Sequence, residues 1–356
     1  MRTLPAIIVM LSAAAAPACP FCGPPQDSPG AAMAGADAAV VGRVIARRLL
    51  FAGDDRARVA AEFECVRIVR AAKGGAAPAV GSRFTLVPDN PADAPKDGTA
   101  VCVINSAGRG YKAVGIYPDR EGRLAGYLAG LAEVLDKSAA ARVAFLFPRL
   151  EADDARIAED AHGQFAGVPF GELAGLRDRI PADRLRAWLL SESVPAGRKG
   201  LYAVMLSVAG GPDDAALLEK ALPSAAGSGT GSGGILAGWA RLAGKPEAVL
   251  TPVIRDRARP TACREGAVRA AGFLYDSGTD ADRPALRNVL KAALAEPVLF
   301  PYAVEELVRL RDWSLTEDVR AAAGTEAARL AVRKYARALP APQRAELESW
   351  LERREK

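Results

Sequence analysis

Cys19-Pro20-Phe21-Cys22 sets two thiols three positions apart. That spacing suits a disulfide, half of a metal site or a redox dithiol. A redox dithiol needs its first cysteine at a helix N-terminus behind a buried strand, where the dipole lowers the thiol pKa. What precedes Cys19 is different: Arg2, an apolar run from Leu4 to Ala16, then Ala16-Pro17-Ala18. A basic start, a short apolar stretch and an A-x-A site describe a secretory signal peptide over 1–18. Cleavage after Ala18 is expected and would leave Cys19 as the first residue. Lipid anchoring at Cys19 is disfavoured by Ala at 16 and by Pro17. Gly23-Pro24-Pro25 follows Cys22 and is poor helix material. In an oxidising compartment the expected role is a structural disulfide. It joins Cys19 and Cys22 to each other, or links the tip to Cys65 or Cys102. Four cysteines allow three pairings. Cys263, after Arg259-Pro260, is expected to stay unpaired.

The other residues exclude more chemistry than they suggest. His162 is the only histidine, so no HExxH pair and no three-histidine metal centre exist. A Ser-His-Asp triad would depend on it, and no G-x-S-x-G accompanies it. The Gly-rich stretch at 227–234 lacks the Lys-Ser/Thr of a P-loop. No catalytic residue, cofactor or metal is therefore expected. His162 reads as a helix-packing residue. Asp153-Asp154 and Asp213-Asp214 read as first-turn acids that complement helix dipoles.

Charge narrows the partners. Lys and Arg number 47 against 42 Asp and Glu, a formal net charge of +5. The signs are interspersed along the chain, so this is a slight excess rather than a basic face. Arg255, Arg257, Arg259, Arg264 and Arg269 form the densest cluster, with no aromatics between them, and read as a solvated surface. Nucleic acid is not an expected partner. Apart from the signal, no apolar run approaches the ~18 residues that span a bilayer.

These side chains sit on two halves with different periods. From about 37 to 118 the pattern alternates with period two. It predicts five strands: Ala38–Leu50, Val59–Val69, Arg83–Val87, Ala100–Ile104 and Tyr111–Tyr117. The second slips phase at Val66, as at a bulge. Five short strands suit a small closed OB-type barrel. A helix over 122–135 should follow, with Leu124, Leu128, Leu131 and Leu135 on one face, and abut the next unit rigidly. From about 137 the period becomes 3.6. Thr279-x-x-Asp282 and Ser314-x-x-Glu317 fit capping boxes, and Pro181, Pro212 and Pro246 fit first helical positions. Leu206 to Ala215 resembles Leu242 to Ala248 at an offset near 35, with a looser copy from Val268 to Pro284. Helix pairs at that period suggest a HEAT-like or TPR-like α-solenoid. Residues 223–234 read as a flexible loop or linker. Trp188, Trp239, Trp313 and Trp350 read as inter-helix packing, or as markers of a concave binding surface.

The Cys pair, the segment Ser28 to Val44 with Ala36-Asp37-Ala38-Ala39-Val40-Val41-Gly42-Arg43-Val44, and the Lys73-Gly74 turn resemble the netrin-like, or tissue-inhibitor-of-metalloproteinase-like, modules of secreted proteins. That resemblance implies an OB-type barrel tied at its N-terminus by disulfides. In the inhibitors the pattern is Cys-x-Cys, and the free amino group of the first Cys ligates a protease's zinc; here the spacing is CxxC. The whole chain also resembles uncharacterised secreted bacterial proteins that join such a module to helical repeats. For the second half this rests on Gly200-Leu201-Tyr202-Ala203, Gly210 to Asp214 and Leu310-Arg311-Asp312-Trp313.

The expected architecture is α+β and multidomain: a signal over 1–18, an OB/netrin-like barrel over 19–136 and a HEAT-like α-solenoid over 137–356. The expected function is a secreted or periplasmic, non-enzymatic binding protein with a protein partner. A metalloprotease-inhibitor-like module acting through Cys19, or a thiol redox protein using Cys19 and Cys22, are the alternatives.

Overall fold

The computed structural model describes residues 21, 28–51, 57–71, 74, 76–108 and 110–355. Cys19, Cys22 and the signal segment lie outside the described residues. A short helix α1 (Pro29–Gly35) leads into strands β1 (Ala38–Phe51), β2 (Ala57–Ala71), β3 (Arg83–Leu86), β4 (Thr99–Ala107) and β5 (Gly110–Pro118). Helices follow: α2 (Arg123–Val134), α3 (Ala139–Leu146), α4 (Ala155–Ala166), α5 (Phe170–Ala174), α6 (Ala182–Leu190), α7 (Ala196–Ala209) and α8 (Asp214–Ala221). The chain continues through α9 (Gly229–Ala243), α10 (Pro246–Arg255), α11 (Thr261–Ser277), α12 (Arg283–Leu294), α13 (Phe300–Leu310), α14 (Thr316–Ala321), α15 (Glu326–Ala338) and α16 (Ala341–Glu355). The α+β class follows directly: an antiparallel sheet, then helices.

The strands form one open sheet in the order β3-β2-β1-β4-β5. β1 pairs with both β2 and β4, and its register against β2 shifts at three places. One shift leaves Val66 without an opposite residue between Cys65 and Arg67, the bulge expected from the phase slip. Bulges coil a sheet, and this one is strongly curled. β3 and β5 stand at opposite ends of the order, yet Phe84 and Tyr111 meet edge to face at 6.0 Å. Val40, Phe63, Cys65, Cys102 and Ile104 fill the concave side. Ala39, Val101 and Val103, on the other face, belong to a second core shared with the helices.

That shared core joins the two halves. Asp119 accepts hydrogen bonds from the Leu124 and Ala125 amides and starts α2. Asp160 on α4 is fully buried; it accepts from the Gly30 amide at 2.7 Å and from the Tyr127 hydroxyl at 2.6 Å. One carboxylate thus ties α1, α2 and α4 together. Burial, then the nearby Asp160 charge, pushes the Tyr127 phenol well above its ordinary range.

In the helical half α7, α9, α11, α13 and α15 pack side by side in sequence. α8, α10 and α12 cover them on one side. α4, α5 and α6 also touch α7. Helices α7, α9 and α11 begin at Ala196, Gly229 and Thr261, so the unit recurs roughly every 33 residues. The α7–α8 and α11–α12 turns share a glycine conformation and an aspartate hydrogen bond. Gly210 has φ −88° and ψ −164°, and Gly278 has φ −90° and ψ −167°. Asp214 accepts from the Gly211 amide, and Asp282 from the Thr279 amide.

Several local expectations fail. Residues 223–234 are not a flexible loop: a single 3-10 turn leads into α9, which begins at Gly229 and is buried from Gly231 to Gly238. The residue that precedes α12 is Asp282 and the one before α14 is Leu315, so neither capping box forms as read. Of the three prolines only Pro246 is a first helical residue; Pro181 precedes α6, and Pro212 lies one residue before the cap of α8. The tryptophans pack. Trp188 lies 4.9 Å from Tyr202 and Trp313 lies 5.4 Å from Tyr335, ring to ring.

Candidate functional site

The candidate disulfide residues divide. Cys65 and Cys102 are free and buried, facing the concave core from strands on either side of β1. Two inter-strand spacings amount to roughly 9–10 Å, beyond the ~4.4–6.8 Å Cα separation of a disulfide. Burial raises both thiol pKa values, which disfavours the thiolate form. Cys19 and Cys22 lie outside the described residues. Phe21 between them is described and buried, edge-on to Phe273 of α11 at 5.3 Å. Cys263 is free and buried as well; desolvation raises its pKa, and Arg259 opposes that in part.

His162 lies on α4, edge-on to the Tyr202 ring at 6.5 Å, and its Nε2 has no hydrogen-bond partner. Burial, with the Arg198 charge second, pulls its pKa down to about 4 from an ordinary 6.5. The Tyr202 hydroxyl donates to Glu151, and Arg198 pairs with the same carboxylate at 3.3 Å. The histidine is therefore neutral packing between α4 and α7. A depressed folded pKa means that the unfolded chain binds more protons between pH 6.5 and 4. Stability is complete above 6.5 and falls as pH drops through that window, by up to about 3 kcal/mol. Urea midpoints should fall more steeply from pH 6.5 to 4 in the native chain than in His162→Gln. Parallel slopes would refute this.

Lys199 carries no sequence signal. It is only 2% exposed on α7, and its Nζ donates to Ser224 Oγ at 2.9 Å. Lysine beside serine is also the arrangement of a nucleophile and its base. Here the Ser224 hydroxyl donates to the Ala221 carbonyl, so the pair clamps the end of α8. Four of the five clustered arginines are ion-paired: Arg257 and Arg264 to Glu296, Arg259 to Asp256, Arg269 to Glu265; Arg255 is exposed. Arg264 departs from the solvated reading. It is buried and donates to the Ile254 carbonyl at 2.9 Å.

The surface with capacity to spare is on the sheet. β1 pairs with β2 as far as Phe51 and Ala57, but with β4 only as far as Arg43 and Thr99. One more bond, from the Val44 amide to the Gly98 carbonyl, ends that ladder. β3 covers β2 only from Ala61 to Glu64. Residues 45–51 and 57–60 therefore project as a two-stranded arm. Ile45, Leu49 and Leu50 are 39%, 54% and 41% exposed on it. Arg47 and Arg48 are exposed beside them, and Arg47 reaches the Pro91 carbonyl at 3.3 Å. One face of the arm opens into a groove of about 440 Å³ lined by Ala46, Arg48, Leu50, Ala60, Glu62, Thr85 and Val87, with Glu62 paired to Arg83 at 3.6 Å.

Backbone direction on the arm follows from register. Val44 faces the concave core, and its amide points away from β2. Arg47 and Leu49 oppose Ala61 and Val59, which face the same core. Within one strand, side-chain face and hydrogen-bond direction alternate together. The Arg47 and Leu49 amides therefore point outward, along an edge with no strand beside it among the described residues. Such an edge is a template for another strand.

Among the described residues no helix is long and apolar enough to cross a membrane, and no group of three or more His, Cys, Asp or Glu is placed to hold a metal ion. No family model, curated protein or solved structure matches this chain.

Proposed function

We propose that this is a secreted or periplasmic, non-enzymatic binding protein that captures an extended partner segment along its projecting arm. The strand order, with β1 central and the outer strands touching through Phe84 and Tyr111, supports an OB/netrin-like barrel. The recurring helix pairs support a HEAT-like solenoid. The core shared between sheet and helices makes a firm base for the arm.

The observation that carries the reading is the unpaired β1 edge from 45 to 51, flanked by exposed Leu49, Leu50, Arg47 and Arg48. Strand addition draws affinity from main-chain bonds and specificity from alternate side chains. The arginines select an acidic, apolar partner. A second copy is disfavoured, because antiparallel pairing of two arms would bring Arg47 and Arg48 near their own copies.

A fluorescent peptide of alternating Glu and Val tests this by anisotropy. Saturable binding is expected, weakening several-fold between 50 and 300 mM salt because the arginines are exposed and screened. Leu49→Pro removes one outward amide and should abolish binding while leaving the melting curve nearly unchanged. Arg47→Glu with Arg48→Glu should do the same. Undiminished binding by Leu49→Pro overturns the reading, as does equal binding of a Lys/Val peptide. Concentration-dependent dimerisation lost in Leu49→Pro would assign the edge to a second copy instead.

A further inference from the structure

We propose a second site, independent of the arm: an open cleft at the turn-bearing end of the helical array that binds a free α-amino acid by both its carboxylate and its ammonium. α7, α9 and α11 end side by side, at Ala209, Ala243 and Ser277. The turns that follow enclose about 490 Å³, lined by Arg177, Arg241, Gly210, Gly211, Thr279 and Asp282 among others. That volume lies within the range of small-molecule sites.

The charges in the cleft are of both signs. The three helix C-termini carry about −1.5 elementary charges, the N-termini of α8 and α12, which start at the same turns, about +1, and Asp282 adds −1. Arg177 and Arg241 contribute +2, so the sum is close to zero but strongly polarised. A simple anion meets three carbonyl ends and a carboxylate. A simple cation meets two guanidinium groups. A small zwitterion satisfies both.

Each group has bonding capacity left. Arg177 donates to the Gly210 carbonyl at 3.2 Å through one nitrogen, leaving its other N–H groups. Arg241 lies over the Phe170 ring at 4.8 Å. It makes no ion pair within 4.0 Å among the described residues, and Asp282 acts on it only through space. The repeated turn supplies the comparison. In the first copy both oxygens of Asp214 are taken by Arg186, at 2.7 and 2.9 Å. In the second, Thr279 donates its amide and its hydroxyl to Oδ2 of Asp282 alone. Among the described residues Oδ1 lacks the cation that its counterpart has, and a ligand ammonium fits there. Arg241 and Arg177 then take the carboxylate, with planar forks that match it.

L-alanine, acetate and methylammonium, each titrated into the whole protein and followed by NMR or calorimetry, test the proposal. L-alanine should bind saturably, and the two half-ligands at least tenfold more weakly. Arg241→Gln and Asp282→Asn should each weaken L-alanine at least tenfold; an asparagine oxygen still accepts from the Thr279 amide and hydroxyl, so the turn and the fold should survive. Leu49→Pro should bind L-alanine normally, which separates this site from the arm. Absence of L-alanine binding by the native protein overturns the proposal. So does acetate binding as tightly as L-alanine, or normal binding by both cleft variants.

Discussion

Gly234→Val is expected to be the most destabilising single substitution in the helical half, costing about 4 kcal/mol or more. Gly234 lies in α9 where that helix crosses α7. A Cβ there would stand 2.3 Å from the Gly200 carbonyl oxygen, 2.4 Å from its Cα and 2.5 Å from its carbonyl carbon. All three are backbone atoms, so no rotamer change relieves the clash; the helices must separate. Gly231 meets the Ala196 carbonyl and Gly238 the Ala203 carbonyl in the same way. Separating α9 from α7 would also loosen α11 on its other side. Gly126→Ala on α2 is the control, since nothing lies within 4 Å of its added Cβ. It should stabilise by about 0.5–1 kcal/mol, the ordinary glycine penalty in a helix. Urea denaturation of both variants decides the point. A loss at Gly234 of under about 1 kcal/mol would mean that the close crossing is not required.

Phe21→Ala is expected to cost about 3–5 kcal/mol, the usual loss for a buried phenylalanine. The ring is 1% exposed and meets Phe273, which in turn meets Phe170 at 5.1 Å. Gly233 makes the space, since a Cβ there would lie 2.8 Å from the Phe21 ring. Phe21→Leu should recover more than half of the loss, because most of the volume returns. If Phe21→Ala unfolds at the native urea concentration, the ring contributes nothing to the fold. The consequence reaches beyond stability. The third residue of Cys-Pro-Phe-Cys is anchored on α9 and α11, more than 200 residues away along the chain. Phe21, from a motif that reads as the tip of the first half, is held by the second.

The strands were legible because their signal is local. Alternation from Ala38 to Val69 encodes which side chains face the concave core, and the phase slip at Val66 encodes its bulge. The helix after the sheet was equally plain, with Leu124, Leu128 and Leu131 on one buried face. Capping was less legible. Thr279 and Ser314 have the right spacing, but their hydroxyls donate to Asp282 and Asp312 instead of capping helices themselves. Both hydrogen-bond arrangements are locally reasonable, and the neighbouring turn selects between them. At Asp312 the Arg287 guanidinium and the Tyr275 hydroxyl converge as well, and with Ser314 they hold its pKa down to about 2 against burial.

The sequence by itself determined the order of classes, strands before helices, and the recurrence of helix pairs, because periods of two and of 3.6 are properties of neighbouring residues. A single histidine also excludes an HExxH pair and a three-histidine metal centre. Tertiary structure decided the rest. Gly229 to Gly234 has the composition of a linker; it is helical because α7 and α11 approach so closely that only hydrogens fit between the backbones. Asp160 looks like any surface acid until the Gly30 amide and the Tyr127 hydroxyl reach it from two other helices. The arm exists because β4 stops pairing at Thr99 while β2 continues to Ala57, and the length of one strand says nothing about the length of its neighbour. Long-range contacts of this kind depend on where distant elements end, and no local pattern of residues encodes that.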